Sequence, residues 1–267
     1  INVVVPSSRF GFCQLSIVPL RHSPAHNSEM VSQLLFGEIF RISEFTDTWV
    51  KIVNEADNYI GWIHKKQFLP ISRKTFDGIK NSSNRRMVSV MQGAIKSESN
   101  GFVYPIPFGS ILPSLQKGKF SVEGRKFIYT GKMDKPPLKV KVQKLIQDAI
   151  HFLGSPYQWG GKSEYGIDCS GFTQLVFSVN GISLPRDAYQ QAEYGTTLEF
   201  LEQSKPGDLA FFDNKEGKII HVGILINSST IIHASGWVRI DKLDLEGIWN
   251  EDEKKYSHHL RLLKRIL

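Results

Sequence analysis

The chain has 267 residues, of which 41% are apolar and 22% charged, and a formal net charge of +7. That length is generous for one core and points to two or three domains; no apolar run approaches the ~20 residues of a membrane helix, so no transmembrane segment is expected. Residues 1–137 hold 18 Lys and Arg against 10 Asp and Glu, a net +8, while the rest holds 15 against 16. A basic first half favours an anionic partner, but no reading motif or Arg-rich helix supports nucleic acid. Two cysteines, Cys13 and Cys169, cannot build a disulfide framework, and both are expected as free thiols. The chain begins at Ile1 rather than Met, so a processed or trimmed form is expected, and the absence of a visible leader is uninformative, since a secretory or lipoprotein leader could have been removed.

Residues 1–72 read as all-β. Short runs at Leu15–Leu20, Leu34–Ile42, Thr48–Val53 and Tyr59–Ile63 alternate with turn-rich segments, and Phe10–Leu15 reads as a further strand around Cys13. Trp49-Val50-Lys51-Ile52 and Tyr59-Ile60-Gly61-Trp62-Ile63 form a hairpin whose aromatics fill one end of a small barrel. The pattern resembles the bacterial SH3-like domains. Residues 73–137 read as a second, looser SH3-like β unit, with strands at Met87–Ile95, Phe102–Tyr104, Ile111–Leu112, Phe120–Val122 and Phe127–Thr130. They end in the linker Lys135-Pro136-Pro137.

From Leu138 the pattern changes. Val142, Leu145, Ile146, Ala149, Ile150 and Leu153 recur at helical spacing, and Gly154 ends the run. A Gly-rich loop, Trp159-Gly160-Gly161, precedes a helix over residues 170–180 that Asn180-Gly181 stops. A short helix follows near 187–194, opened by Asp187 as its cap. Strands then dominate: Leu209–Phe212, His221–Ile226, Ile231–His233 and Val238–Ile240. Helices followed by an antiparallel sheet give residues 138–267 an α+β arrangement.

Ile167-Asp168-Cys169-Ser170-Gly171-Phe172 puts a thiol in the first turn of its helix, where unpaired N–H groups and the dipole favour a thiolate. A buried structural cysteine is the plainer reading, but polar and small neighbours make a poor core. His221 and His233 lie 12 residues apart across the turn Asn227-Ser228-Ser229-Thr230. Antiparallel strands would bring both imidazoles to one end of the hairpin, as a nucleophile, base and orienter require. The same three residues could ligate zinc, but no further paired ligand stands near, and neither metal nor cofactor is expected. Asp208 reads as a turn residue and His258-His259 as a solvated pair in a basic C-terminal segment.

Pro156-Tyr157-Gln158-Trp159-Gly160-Gly161, Asp168-Cys169-Ser170-Gly171-Phe172, Leu184-Pro185-Arg186, Pro206-Gly207-Asp208-Leu209, His221-Val222-Gly223 and His233-Ala234-Ser235-Gly236 occur in this order. Together they resemble the NlpC-type cell-wall cysteine peptidases. The resemblance implies a reduced papain-like domain over residues 138–267, preceded by two small all-β SH3-like barrels. The whole chain is similar to the γ-D-glutamyl-L-diamino acid endopeptidases. Cys169 is then expected as nucleophile, His221 as base and later acid, His233 as orienter, and Tyr157 as a hydroxyl beside the developing oxyanion. Asp168 and Ser170 are expected at the substrate. Glu29 and Tyr59 of the first barrel would hold the free α-amine of L-Ala, since a buried ammonium needs an anion. After Leu184-Pro185-Arg186 this chain has Asp187-Ala188-Tyr189, where many relatives have small hydroxyl residues, which puts any substrate contact through those hydroxyls in doubt.

The implied partner is a murein-derived peptide, L-Ala-γ-D-Glu-diamino acid, and anionic wall material suits the basic first half. A monomer in the cell envelope or periplasm is expected, with cytoplasmic peptide recycling as the alternative. A catalytically silent wall-binding module is the competing reading; the intact Cys–His–His set argues against it.

Overall fold

The computed structural model describes residues 8–91 and 93–267. The chain divides into two compact units, one ending at Pro136 and the other starting at Pro137.

In the first unit, strands β1 (Phe10–Phe12), β2 (Ile17–Arg21), β3 (Met30–Leu35), β4 (Ile39–Phe45), β5 (Trp49–Asn54), β6 (Ile60–His64) and β7 (Leu69–Ile71) form one antiparallel sheet in the order β3-β2-β6-β5-β4-β1-β7. The run expected as one strand over Leu34–Ile42 is two, because Gly37 takes a left-handed conformation (φ 90°) and turns the chain. The sheet wraps Cys13, Val18, Leu34, Phe40, Val50 and Ile63.

Residues 73–135 are not all-β. Helix α1 (Arg73–Lys80) is capped by Ser72, whose hydroxyl accepts from the Thr75 N–H, and it buries Phe76 and Ile79. Beyond it lie β8 (Arg86–Val88), β9 (Gly93–Ser97), β10 (Val103–Ile106), β11 (Ile111–Leu112), β12 (Lys119–Val122), β13 (Arg125–Tyr129) and β14 (Met133–Asp134). They make a four-stranded and a three-stranded sheet. Met87–Ile95 is therefore not one strand, and Gln92 within it lies outside the described residues. One core joins this part to the first sheet: Phe12 and Phe36 share it with Phe120, Phe127 and Tyr129.

The second unit opens with α2 (Val142–Ile150), then the short hairpin β15 (Lys162–Ser163) and β16 (Gly166–Ile167), α3 (Cys169–Val179) and α4 (Ala188–Gln191). Helix α3 is more deeply set than an amphipathic helix: of its residues only Ser178 escapes full burial. At its end the Asn180 side chain donates to Asp148 Oδ2 of α2 (2.7 Å). At α4 the Asp187 N–H donates to Gln190 Oε1 (3.2 Å) in a capping box, the cap expected of Asp187.

Strands β17 (Thr196–Leu198), β18 (Leu209–Asp213), β19 (Ile219–Asn227), β20 (Thr230–Ser235), β21 (Trp237–Leu243), β22 (Gly247–Asn250) and β23 (Lys255–Arg265) form one sheet in the order β17-β23-β18-β19-β20-β21-β22. Because β22 also pairs with β23, six strands close on themselves. Strands β22 and β23 were not expected, and β23 runs through the pair His258-His259 that was expected to be solvated. Direct strand partners and residues two apart share a face. Phe212 is opposite His221, Gly223 opposite His233, Ile231 opposite Asp241, and Ile248 opposite His258. These side chains all share the interior face that holds Leu225, Ile231, Leu243 and Leu263. The opposite face, with Val222, Ile224, Ile232 and Ala234 fully buried, receives α3 on β19 and β20.

Candidate active site

Cys169 is the first residue of α3, 6% exposed. Two backbone approaches fix that turn. Gly171 lies so close to the loop that a Cβ on it would fall 2.3 Å from the Gly161 carbonyl oxygen. Asp168 caps the helix, its Oδ1 accepting from the Gly171 N–H (2.7 Å), while its Oδ2 accepts from the Gly160 N–H (2.8 Å). Arg186, 1% exposed, grips the same carboxylate through Nη2 to Oδ2 (2.6 Å) and Nη1 to Oδ1 (3.0 Å). Its Nη1 also donates to Ser170 Oγ (3.0 Å). Asp168 and Ser170 are thus parts of a buried ion-paired frame under Cys169, and Arg186, to which the sequence assigned no role, is its cation. A bidentate, fully hydrogen-bonded pair is the form in which buried charges persist.

The sulfur receives N–H bonds from Ser170 and from Val222, the residue after His221. Burial and the nearby Asp168 charge nevertheless push the thiol up to about 12, against the pull of those bonds and of Arg186. The helix terminus alone favours a thiolate, but here desolvation wins, and the resting sulfur is a thiol.

His221 and His233 are 4% and 1% exposed, with His221 Nε2 2.8 Å from His233 Nδ1. The relay continues: His233 Nε2 lies 2.9 Å from Asp241 Oδ2, and Arg239 Nη2 donates to Asp241 Oδ1 (2.9 Å). A carboxylate only accepts, so His233 must donate to it through Nε2 and accept from His221 at Nδ1. His221 is then protonated on Nε2, and its Nδ1 is the basic nitrogen. Burial resists the Asp241 charge, but bonds from His233 and Arg239 hold its carboxyl below the usual value. Burial, then His258 and His233, hold His221 well below the ordinary imidazole range. Burial also lowers His233, against the Asp241 bond. Both rings rest neutral.

Gly223 makes this pairing fit: a Cβ there would sit 2.8 Å from the His233 Cβ and 2.6 Å from Ile231 Cδ1. Tyr157 is half-buried and bridges to Ile167 just before the Cys169 turn, with its N–H on the Gly236 carbonyl (2.9 Å). Burial raises its phenol, and the neighbouring Cys169 and Asp168 add to that, so it remains a hydrogen-bond donor.

Glu29 is exposed in the first unit between β2 and β3; Tyr59 is half-buried against the first sheet's core just before β6. Asp208, 1% exposed, accepts from the Lys205 N–H (2.7 Å) and pairs with Arg265 (2.7 Å), the turn role expected of it. His258 is no solvated residue: it is half-buried and stacked on His221, while His259 alone is exposed. Neither Cys13 nor Cys169 is in a disulfide.

A cysteine at the head of a buried helix, beside a His–His–Asp relay on a β-barrel, defines a thiol hydrolase of the cysteine-peptidase class. Residues 154–257 match the NlpC/P60 family, and residues 20–68 match the bacterial dipeptidyl-peptidase SH3 domain. The chain is 32% identical to the gamma-D-glutamyl-L-lysine dipeptidyl-peptidase of Bacillus subtilis (strain 168) over 228 residues, 76% of this chain and 71% of that protein. It is 48% identical over 91 residues to the probable endopeptidase p60 of Listeria innocua, 34% of this chain and 19% of that one. The crystal structure of an NlpC/P60 family protein from Bacillus cereus covers 97% of this chain, and this chain 99% of it, at a TM-score of 0.80 and 21% identity, a likeness of fold. The chain belongs to the NlpC/P60 family and is a cell-wall cysteine peptidase.

Proposed function

We propose that the chain hydrolyses the bond between γ-D-glutamate and the following diamino acid in murein peptides that carry a free N-terminal L-Ala. The observation that carries the chemistry is the unbroken series His221, His233, Asp241 beside Cys169. The Bacillus subtilis relative's name supports the bond. We read the second unit as a reduced papain-like domain (138–267), and residues 1–72 and 73–137 as two SH3-like barrels, the second with a helix at its start.

In the reaction His221 Nδ1 takes the thiol proton as sulfur attacks the γ-glutamyl carbonyl. The proton transfer and the new C–S bond form together, because neither group is charged at rest. The oxyanion is met by the N–H of Cys169 at the head of α3 and by the Tyr157 hydroxyl. His221, now an imidazolium held by His233 and the Asp241 charge, gives its proton to the leaving amine. A thioester remains, which water hydrolyses with His221 again as base. Ser170 and Asp168 shape the substrate side of this turn; an incoming ammonium would share oxygens that Arg186 already holds. Glu29 and Tyr59 are assigned to the amine on the sequence resemblance, as is work in the cell envelope.

The test is hydrolysis of L-Ala-γ-D-Glu-L-Lys and its diaminopimelate analogue, each beside a form acetylated on the α-amine. Cleavage of the free peptides alone is expected, with none by Cys169→Ala. Equal cleavage of both forms would remove amine recognition by Glu29 and Tyr59. No cleavage of either would favour the silent binding module.

A further inference from the structure

The relay fixes one nitrogen of His221, but a ring held at a single nitrogen can still rock about that bond. What limits the rocking is packing on its faces. His258 of β23 lies on one face, with ring centroids 4.0 Å apart and planes 22° from parallel. Phe212 contacts both rings, at 5.7 Å from His221 and 5.9 Å from His258. His233 stands edge-on to the two, at 5.0 and 5.9 Å. The wall itself is anchored: His258 Nδ1 is 2.9 Å from Ser257 Oγ, whose hydroxyl also lies 3.3 Å from the Ile248 carbonyl. His258 falls one residue beyond the stretch that matches the family.

We propose that His258 is a positioning residue for the general base, the stacked wall that sets the plane of His221 and thereby aims Nδ1 at the thiol. This rests on the reading of His221 as the base of Cys169. The geometry adds a second consequence. A cation on His258 would lie against the ring that must become an imidazolium, so protonation of His258 stops His221 from accepting the thiol proton. The groups that face His258 are His221 of β19, His233 of β20 and Asp241 of β21 with its partner Arg239. Phe212 and Ile248, from β18 and β22, are uncharged, and Ser257 and His259 flank it on β23. Burial and the nearby His233 bring its ring down to about 4, with Asp241 opposing, so the wall is neutral at pH 7.

The experiment compares His258→Ala, which removes the wall, with His258→Phe, which keeps a flat ring without charge. The readouts are the rate of Cys169 alkylation by iodoacetamide from pH 3.5 to 9, followed on the Cys169 peptide, and kcat and KM on L-Ala-γ-D-Glu-L-Lys. Cys13 is fully buried, so it interferes little. Expected at pH 7 is a loss of about 10- to 100-fold in alkylation rate and in kcat for His258→Ala, with KM within about two-fold. His258→Phe should recover to within about three-fold and extend activity to lower pH. Wild-type rates in His258→Ala would overturn the proposal. So would equal losses in both variants when His258→Phe melts like the wild type. Alkylation needs no peptide, so a wild-type enzyme that cuts neither tripeptide would refute the substrate reading while the alkylation ratio still decides the role of His258.

Discussion

Asp241 governs the proton on each imidazole of the relay. As a carboxylate it obliges His233 to present a lone pair to His221, which leaves His221 basic at Nδ1. An amide at this position can donate to His233 Nε2 instead. That donation reverses the pattern: His233 would then donate from Nδ1, His221 would accept at Nε2, and the His221 proton would sit on Nδ1, the nitrogen proposed to take the thiol proton. Asp241→Asn is therefore expected to lower kcat by about 10²- to 10⁴-fold with little change in KM. Steady-state kinetics on the cleaved tripeptide check this, and a loss below ten-fold would mean that His233 keeps its tautomer without the anion. Nothing in the sequence marked this residue. The strand around it was legible only as Val238–Ile240, one residue short, and its reach to His233 depends on a strand register that no local pattern encodes.

At the scale of elements, the parts that carry clear periodicity were legible. Helix α3, with its apolar spacing and its stop, and the hairpin of β19 and β20 lie where the spacing puts them; the Asp168 cap emerges only in the structure. The closing strands did not announce themselves. Lys255–Arg265 alternates poorly, because bulges between Phe211 and Phe212 and between Ile248 and Trp249 shift the register of its partners. Its apolar residues serve the barrel interior, while outward positions such as His259 and Arg261 are exposed. The same loss of period hid His258, which reads as solvated until β23 is paired. Helix α1 escaped notice for a different reason: eight residues with two buried side chains carry too little signal to outweigh the strands around them. Gly223, by contrast, was visible in His221-Val222-Gly223, but its purpose is spatial. It lies opposite His233, and an added methyl would press on the His233 Cβ. Gly223→Ala is expected to destabilise the fold by about 1–3 kcal/mol and to disturb the His221–His233 bond, so that kcat falls in the protein that remains folded. Denaturant unfolding together with kcat per folded molecule checks both parts; a fully active, destabilised variant would show that the clash is relieved at Ile231 instead.

On the scale of the whole molecule, three neutral imidazoles in one barrel tie stability to pH. His221, His233 and His258 are all held below the ordinary histidine value, each chiefly by burial. The unfolded chain therefore binds more protons than the folded one as pH falls below about 6.5. Stability from these groups is complete above that value and is lost on acidification, down to about 4 for His258, with His221 also held well below its ordinary value by burial. Three protons taken up on unfolding correspond to a slope of up to about 4 kcal/mol per pH unit. Asp241 works in the same direction, but only at more acid pH, because its lowered carboxyl releases its contribution below the usual carboxylate range. The melting temperature is thus expected to be level between pH 7 and 8 and to fall steeply from pH 6 to 5. His258→Phe removes one of the three titrating rings and keeps the wall, so its slope should shrink by about a third. Thermal melts of both proteins at pH 5, 6, 7 and 8 decide the matter. Parallel curves would mean that the His258 ring already carries its proton in the folded state, and that the imidazole cluster tolerates a cation.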